Sequence, residues 1–61
     1  MSIKQIYNEI IENLTFLNID IKGKTFDDVL KELNELKSNK FEGLIIETIL
    51  KINRLCKEMN Y

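Results

Sequence analysis

The sequence predicts an all-α fold, a three-helix bundle that forms a single helical domain over residues 1–61. Three segments carry apolar residues at the three-and-four spacing of one helix face. Short polar or glycine-containing segments separate them, and proline is absent. Three amphipathic helices joined by short connectors are the pattern of a small helical bundle.

The first predicted helix runs from Ile3 to about residue 17. Ser2 is a good N-cap, and Gln5 three residues later completes a capping-box pattern. The other face is polar and slightly acidic, which favours a core helix over one that lies on an anionic membrane surface. The predicted inward residues are Ile3, Ile6, Tyr7, Ile10, Ile11, Leu14 and Leu17.

The segment 18–24 alternates polar and apolar residues and then reaches a glycine. This pattern fits either a short strand or an extended connector; the chain offers no second strand for pairing, although a dimer could supply one. We therefore expect a connector in which Ile19 or Ile21 packs under the bundle and Gly23 allows a turn. The triplet that begins at Gly23 resembles the end of a phosphate-binding loop, but Asn18 stands where that loop needs its first glycine.

The second predicted helix runs from about Phe26 to Leu36. Thr25 is the expected N-cap, and Asp28 can return a hydrogen bond in a variant of the capping box. Asp27 and Asp28 also suit the positive end of the helix dipole. A metal or acid–base site at these two carboxylates is the alternative, but no histidine or further acid supports it. The predicted inward residues are Phe26, Val29, Leu30, Leu33 and Leu36.

The third predicted helix, Phe41 to Met59, is the longest segment without a turn signal, and the rest of the chain is expected to pack around it. Ser38 or Asn39 is expected to cap it. Gly43 lies inside its first turns, where it lowers helix stability and suggests close approach of another helix. The predicted inward residues are Phe41, Leu44, Ile45, Ile49, Ile52, Leu55, Cys56 and Met59.

Two apolar residues, Ile46 and Leu50, lie off this face, about 140° and 180° from Phe41 on a wheel of about 100° per residue. Two other helices can cover only one side well. With Phe16, which lies off the main stripe of the first helix, they are the predicted protein-interface residues. We expect a homodimer whose third helices pack together, or a monomer that docks on another protein. The alternative is that all three are ordinary exposed hydrophobes or are covered by the connector 18–24.

The composition offers little for catalysis. The chain has no histidine and one cysteine, Cys56, which excludes a disulfide framework and the usual structural zinc sites. Its carboxylates and lysines are spread over polar helix faces rather than gathered in one place. We therefore predict no enzyme activity, no catalytic or metal site and no cofactor.

A helix-turn-helix DNA-binding regulator is an alternative function, because a short turn joins the second and third helices. The net charge of −1 argues against it. The third helix also mixes Lys51, Arg54 and Lys57 with Glu47 and Glu58, whereas phosphate binding usually shows as a strongly basic patch. We do not expect a nucleic-acid partner.

We expect instead a small protein-interaction module, an accessory regulator or inhibitor that binds a larger protein, with an assembly or scaffolding role as a further alternative. Abundant Ile, Lys and Asn together with absent Ala and Pro indicate an AT-rich coding sequence. This suggests a low-GC bacterium or a phage or mobile element. No apolar run reaches the roughly 18 residues of a membrane span, and the first residues lack signal-peptide features. We expect a cytoplasmic protein without a membrane partner.

Overall fold

The computed structural model describes residues 2–36 and 40–59, and within these ranges it contains three α-helices. The helices are α1 (Ile3–Phe16), α2 (Phe26–Glu35) and α3 (Glu42–Glu58). α3 packs against both α1 and α2, which confirms the predicted all-α three-helix bundle. The described part of the chain forms no strand, so the strand alternative for 18–24 is wrong. None of these helices combines the length and apolar character that crossing a membrane requires.

Both predicted N-caps of the first two helices form. The Oγ atom of Ser2 accepts a hydrogen bond from the backbone N–H of Gln5 at 3.1 Å. At α2, Thr25 Oγ1 accepts from the N–H of Asp28, and the Asp28 carboxylate accepts from the N–H of Thr25, each at 3.2 Å. This second pair is a complete capping box, which satisfies two backbone donors that the helix itself cannot pair.

The start of α3 differs from its predicted form. Phe41 occupies the N-cap position, and its side chain makes no cap hydrogen bond. The predicted caps, Ser38 and Asn39, lie outside the described residues. Among the residues that the structure describes, none would lie within 4 Å of a Cβ atom placed on Gly43. The expectation that another helix of the chain approaches Gly43 is therefore wrong, because this glycine lies on the side of α3 that faces away from α1 and α2.

α1 ends in a Schellman motif that the apolar pattern did not reveal. Asn18 adopts a left-handed conformation with φ of 62°. Its N–H donates to the carbonyl of Thr15 at 3.1 Å, and the N–H of Ile19 donates to the carbonyl of Leu14 at 2.9 Å. These are the two hydrogen bonds that define the motif. The turn brings Ile19 back onto the core, as expected for one residue of this connector.

The second half of the connector is ordered by local hydrogen bonds. The N–H of Lys22 donates to the Asp20 carboxylate at 2.9 Å, and the N–H of Lys24 donates to the carbonyl of Ile21 at 3.0 Å. Gly23 holds the third position of the turn that begins at Ile21, with a φ of 76° that side chains disfavour. Ile21 also packs against the core, so the predicted connector is confirmed.

The hydrophobic core lies where the inner faces of the helices meet. All of its buried hydrophobic residues are among those predicted to face inward, whereas four other predicted inward residues are more than a third exposed. The buried residues are Ile6, Ile10, Leu14, Val29, Leu33, Ile45, Ile52 and Leu55. The exposed ones are Ile3, Tyr7, Phe41 and Met59.

The positions of these four residues explain why they are exposed although they were predicted to face inward. Ile3, Phe41 and Met59 lie at or beside helix ends, where the neighbouring helices no longer provide cover. Tyr7 borders an open groove together with Phe26 and Val29 of α2. Apolar periodicity identifies the face that turns inward but not how far along the helix that face is covered.

Thr48 is fully buried at the centre of the inner face of α3, although its polar side chain excluded it from the predicted core. Its hydroxyl donates a hydrogen bond to the carbonyl of Leu44 at 2.7 Å. A threonine that bonds to its own helix in this way leaves no polar atom unpaired, so it can pack as a small apolar residue would.

Candidate interaction surface

The candidate functional site is the side of α3 that faces away from the core. Ile46 and Leu50 lie one turn apart on this side, and 45% and 63% of their respective surfaces are exposed. We call this pair the outer strip. Their high exposure excludes the alternative that the connector 18–24 covers them.

The buried residues of α3 explain why the described part of the chain leaves the outer strip exposed. At about 100° per residue, Leu50 lies roughly opposite Ile45, Thr48 and Ile52. These three residues are fully buried against the rest of the bundle. A rotation of α3 that covered Leu50 would expose them, so the packing of the core fixes the outer strip on the surface.

Phe16, the third predicted interface residue, lies elsewhere. It is 62% exposed, and its ring meets the ring of Phe41 edge to face, with centroids 5.3 Å apart and an interplanar angle of 87°. The ammonium of Lys40 lies 5.3 Å from the centroid of Phe41. The structure therefore brings Ile46 and Leu50 together in one surface groove, whereas Phe16 packs at the junction between the end of α1 and the start of α3.

Charged residues and one glycine border the outer strip. Gly43, Glu47, Lys51 and Arg54 line the same groove. Lys51 donates a hydrogen bond to the Glu9 carboxylate at 2.9 Å, which ties α3 to α1. This bond raises the pKa of Lys51 and lowers the pKa of Glu9, because each charged form stabilises the other. Within the described ranges, Glu47 and Arg54 form no ion pair.

The remaining polar groups do not converge on one point. No three His, Cys, Asp or Glu residues among those described are grouped so that they could hold a metal ion. Cys56 is a free, half-buried thiol that packs against the core. Lys24 and Glu32 form an exposed ion pair at 2.8 Å that links the connector to α2. The arrangement at the outer strip can therefore bind by apolar contact within a charged border.

The sequence contained a signal for this border, although the mixed charges of the third helix were interpreted only as evidence against DNA binding. Glu47 precedes Leu50 by three residues, and Arg54 follows it by four, so helical spacing places both beside the strip. The sequence did not indicate the contact between Phe16 and Phe41, because Phe41 was assigned to the core and the two residues are far apart in the chain.

No protein-family model, curated protein or solved structure matches this chain significantly. Its function has to be inferred from the outer strip and the charges around it.

Proposed function

We propose that this chain is a small non-enzymatic protein-interaction module whose binding face is the outer strip. The observation that carries the proposal is the exposure of two adjacent apolar side chains, Ile46 at 45% and Leu50 at 63%, on the helix that holds the bundle together. Covering such side chains is favourable by about 25 cal/mol for each Å² of apolar surface removed from water. A partner with a complementary apolar face would gain this free energy.

The packing of α3 within the bundle supports the same proposal. α1 and α2 both pack on its inner face, and the Glu9–Lys51 ion pair fixes one flank. A surface that is already ordered loses little conformational entropy when it binds. The charged border also suits an interface, in which a polar rim commonly surrounds an apolar centre and selects the partner by charge.

For the biological role, we propose an accessory regulator or inhibitor that acts by occupying a surface of another protein. An assembly or scaffolding role would use the same surface. The DNA-binding alternative receives less support from the charges of α3. Lys51 is held by Glu9 at 2.9 Å, and Glu47 borders the outer strip, so the outer side of α3 is not a continuous basic stripe.

A photo-crosslinking amino acid at position 50 tests the proposal. We expect a discrete crosslinked product when the protein is irradiated pure or in a lysate of the producing cell. The matched control places the same group at position 31, where Lys31 is exposed on α2. With the crosslinker at position 46, Leu50→Glu should remove the product while the far-ultraviolet circular dichroism stays unchanged. Equal crosslinking at positions 50 and 31 would contradict the proposal.

A further inference from the structure

We propose that the outer strip is occupied by a second copy of this chain, whose α3 packs antiparallel to the first around a two-fold axis near Leu50. This inference rests on the proposed function, because it names the partner that the same surface binds. It is carried by the order of charges along α3, by the register that helix geometry gives them and by the bare backbone at Gly43.

Four exposed charges of α3 that form no ion pair are ordered by sign, whereas Glu58, at the end of the helix and about 80° around it from Leu50, departs from this order. Glu42 and Glu47 lie in the first half of the helix, and Arg54 and Lys57 lie in the second half. All four are exposed, and none forms an ion pair within the described ranges. A partner surface that satisfied them would need basic groups opposite the first half and acidic groups opposite the second. The same helix in the reverse direction has this order.

The register of the antiparallel pair places opposite charges of the two copies at the same height along the helix axis. At about 1.5 Å of rise per residue, Glu47 lies about 4.5 Å before Leu50 and Arg54 about 6 Å after it. With the two-fold axis at Leu50, Glu47 comes within about 1.5 Å, along the axis, of the level of Arg54 of the second copy. Both residues lie on one flank of α3, about 20° apart. The symmetry sets that flank against the same flank of the second copy, so the ion pair forms twice.

A second set of charges fits the same register. Glu42 lies about 12 Å before Leu50 and Lys57 about 10.5 Å after it, and both are on the other flank of α3. The antiparallel arrangement therefore also sets Glu42 level with Lys57 of the second copy. A parallel arrangement in register would place the acidic residues of the two copies beside each other and the basic residues beside each other, which is unfavourable. The charges thus select the antiparallel orientation.

The apolar contact at the centre of this arrangement is continuous. Leu50 meets Leu50 of the second copy at the axis, and Ile46 of each chain lies one turn away. Gly43 lies at the same height along the axis as Lys57 of the second copy, and a Cβ atom at Gly43 would have no neighbour within 4 Å among the described residues of its own chain. Glycine lowers helix stability, and no contact inside the bundle requires it here. The absence of a side chain lets the aliphatic stem of Lys57 approach the backbone of the facing helix.

The size of the surface determines the strength expected. A standard protein interface buries about 800 Å² on each partner. The whole chain exposes only 4502 Å², and one face of one helix covers less than the standard area. We therefore expect a weak dimer that forms and dissociates with concentration, in the class of transient interfaces.

The first measurement is the solution mass of the intact chain by sedimentation equilibrium between about 10 µM and 1 mM, a range suited to weak association. We expect the mass to rise from 7.2 kDa towards twice that value. Leu50→Glu should keep the chain monomeric throughout. The matched control Lys31→Glu, on the exposed face of α2, should leave the association unchanged.

A charge-exchange experiment tests the register. Glu47→Lys or Arg54→Glu alone should raise the dissociation constant about tenfold, because two attractive pairs become repulsive. Mixing the two variants should restore association as a heterodimer. In the mixed pair, the introduced lysine faces the introduced glutamate, and the native Arg54 faces the native Glu47. Circular dichroism confirms that each variant remains helical.

Three outcomes would overturn the inference. A mass of 7.2 kDa at every concentration excludes self-association, and crosslinking from position 50 to another protein would then keep the proposed function intact. A dimer that survives Leu50→Glu does not use the outer strip. A dimer for which mixing the Glu47→Lys and Arg54→Glu variants restores nothing is not antiparallel in this register.

Discussion

Ile45 and Ile46 allow the same chemical change at two neighbouring positions that differ in burial. Ile45 is fully buried, whereas 45% of the surface of Ile46 is exposed. Ile45→Ala and Ile46→Ala remove identical atoms from the same helix and change the intrinsic helix propensity equally. Any difference in stability between the two variants therefore reports the packing of α3.

The expected magnitudes are far apart. Ile45→Ala should lower the free energy of unfolding by about 2–5 kcal/mol, because it removes buried methyl groups and leaves a cavity. At about 0.05–0.15 kcal/mol per residue, a chain of 61 residues has only about 3–9 kcal/mol in total. Ile46→Ala should stay within about 0.5 kcal/mol of the native chain, because little burial is lost and alanine favours the helix.

Urea unfolding followed by circular dichroism measures both values, at about 10 µM chain so that weak association does not contribute. We expect Ile45→Ala to unfold at a much lower urea concentration, or to be unfolded in buffer, and Ile46→Ala to superimpose on the native curve. Similar losses for the two variants would refute the orientation of α3. The assignment of Ile46 to the outer strip would then be wrong as well.

Two further predictions concern the polar contacts that hold the helices. Thr25→Ala removes a cap hydrogen bond from α2 and should lower stability by about 1 kcal/mol, seen as a melting temperature about 4–8 °C lower, whereas Thr25→Ser should retain most of the stability. Glu9→Gln should lower the melting temperature near pH 7, because it breaks the ion pair with Lys51. The pKa of Glu9 is lowered in the folded chain. The stability that the ion pair contributes is therefore present above the ordinary pKa of 4.5 and is lost as the pH falls through the folded pKa. The difference between the native chain and Glu9→Gln should therefore close in acid, and a difference that does not vary with pH would contradict this role of the pair.

Helix spacing and capping chemistry were sufficient to predict the helical part of the fold. The ends of α1, α2 and α3 fall within one residue of their predicted positions, because periodicity and caps are local properties of the chain. Thr48 was missed because its hydroxyl is paired by its own helix, and an apolar pattern does not show this. The turn after α1 was missed because Asn18 takes a left-handed conformation that usually belongs to glycine.

The candidate site was only partly visible in the sequence. Ile46 and Leu50 could be assigned to one surface because they lie one turn apart on a single helix. Phe16 was added to the predicted interface because it is apolar and lies off the main stripe of the first helix, but its position depends on how α1 crosses α3. That crossing is set by non-local packing, which places Phe16 against Phe41. A pattern within one helix predicts neighbours along it but not contacts between helices.

The central place of α3 also determines when this chain can fold. The Cα atoms of α1 and α2 nowhere come within 8 Å of each other, whereas α3 approaches both helices this closely. During synthesis, α1 and α2 leave the ribosome before α3, the helix on which both of them pack. Isolated helices of 14 and 10 residues are marginal in water. Folding must therefore wait until α3 has emerged, and a nascent chain halted before that point should remain sensitive to proteases.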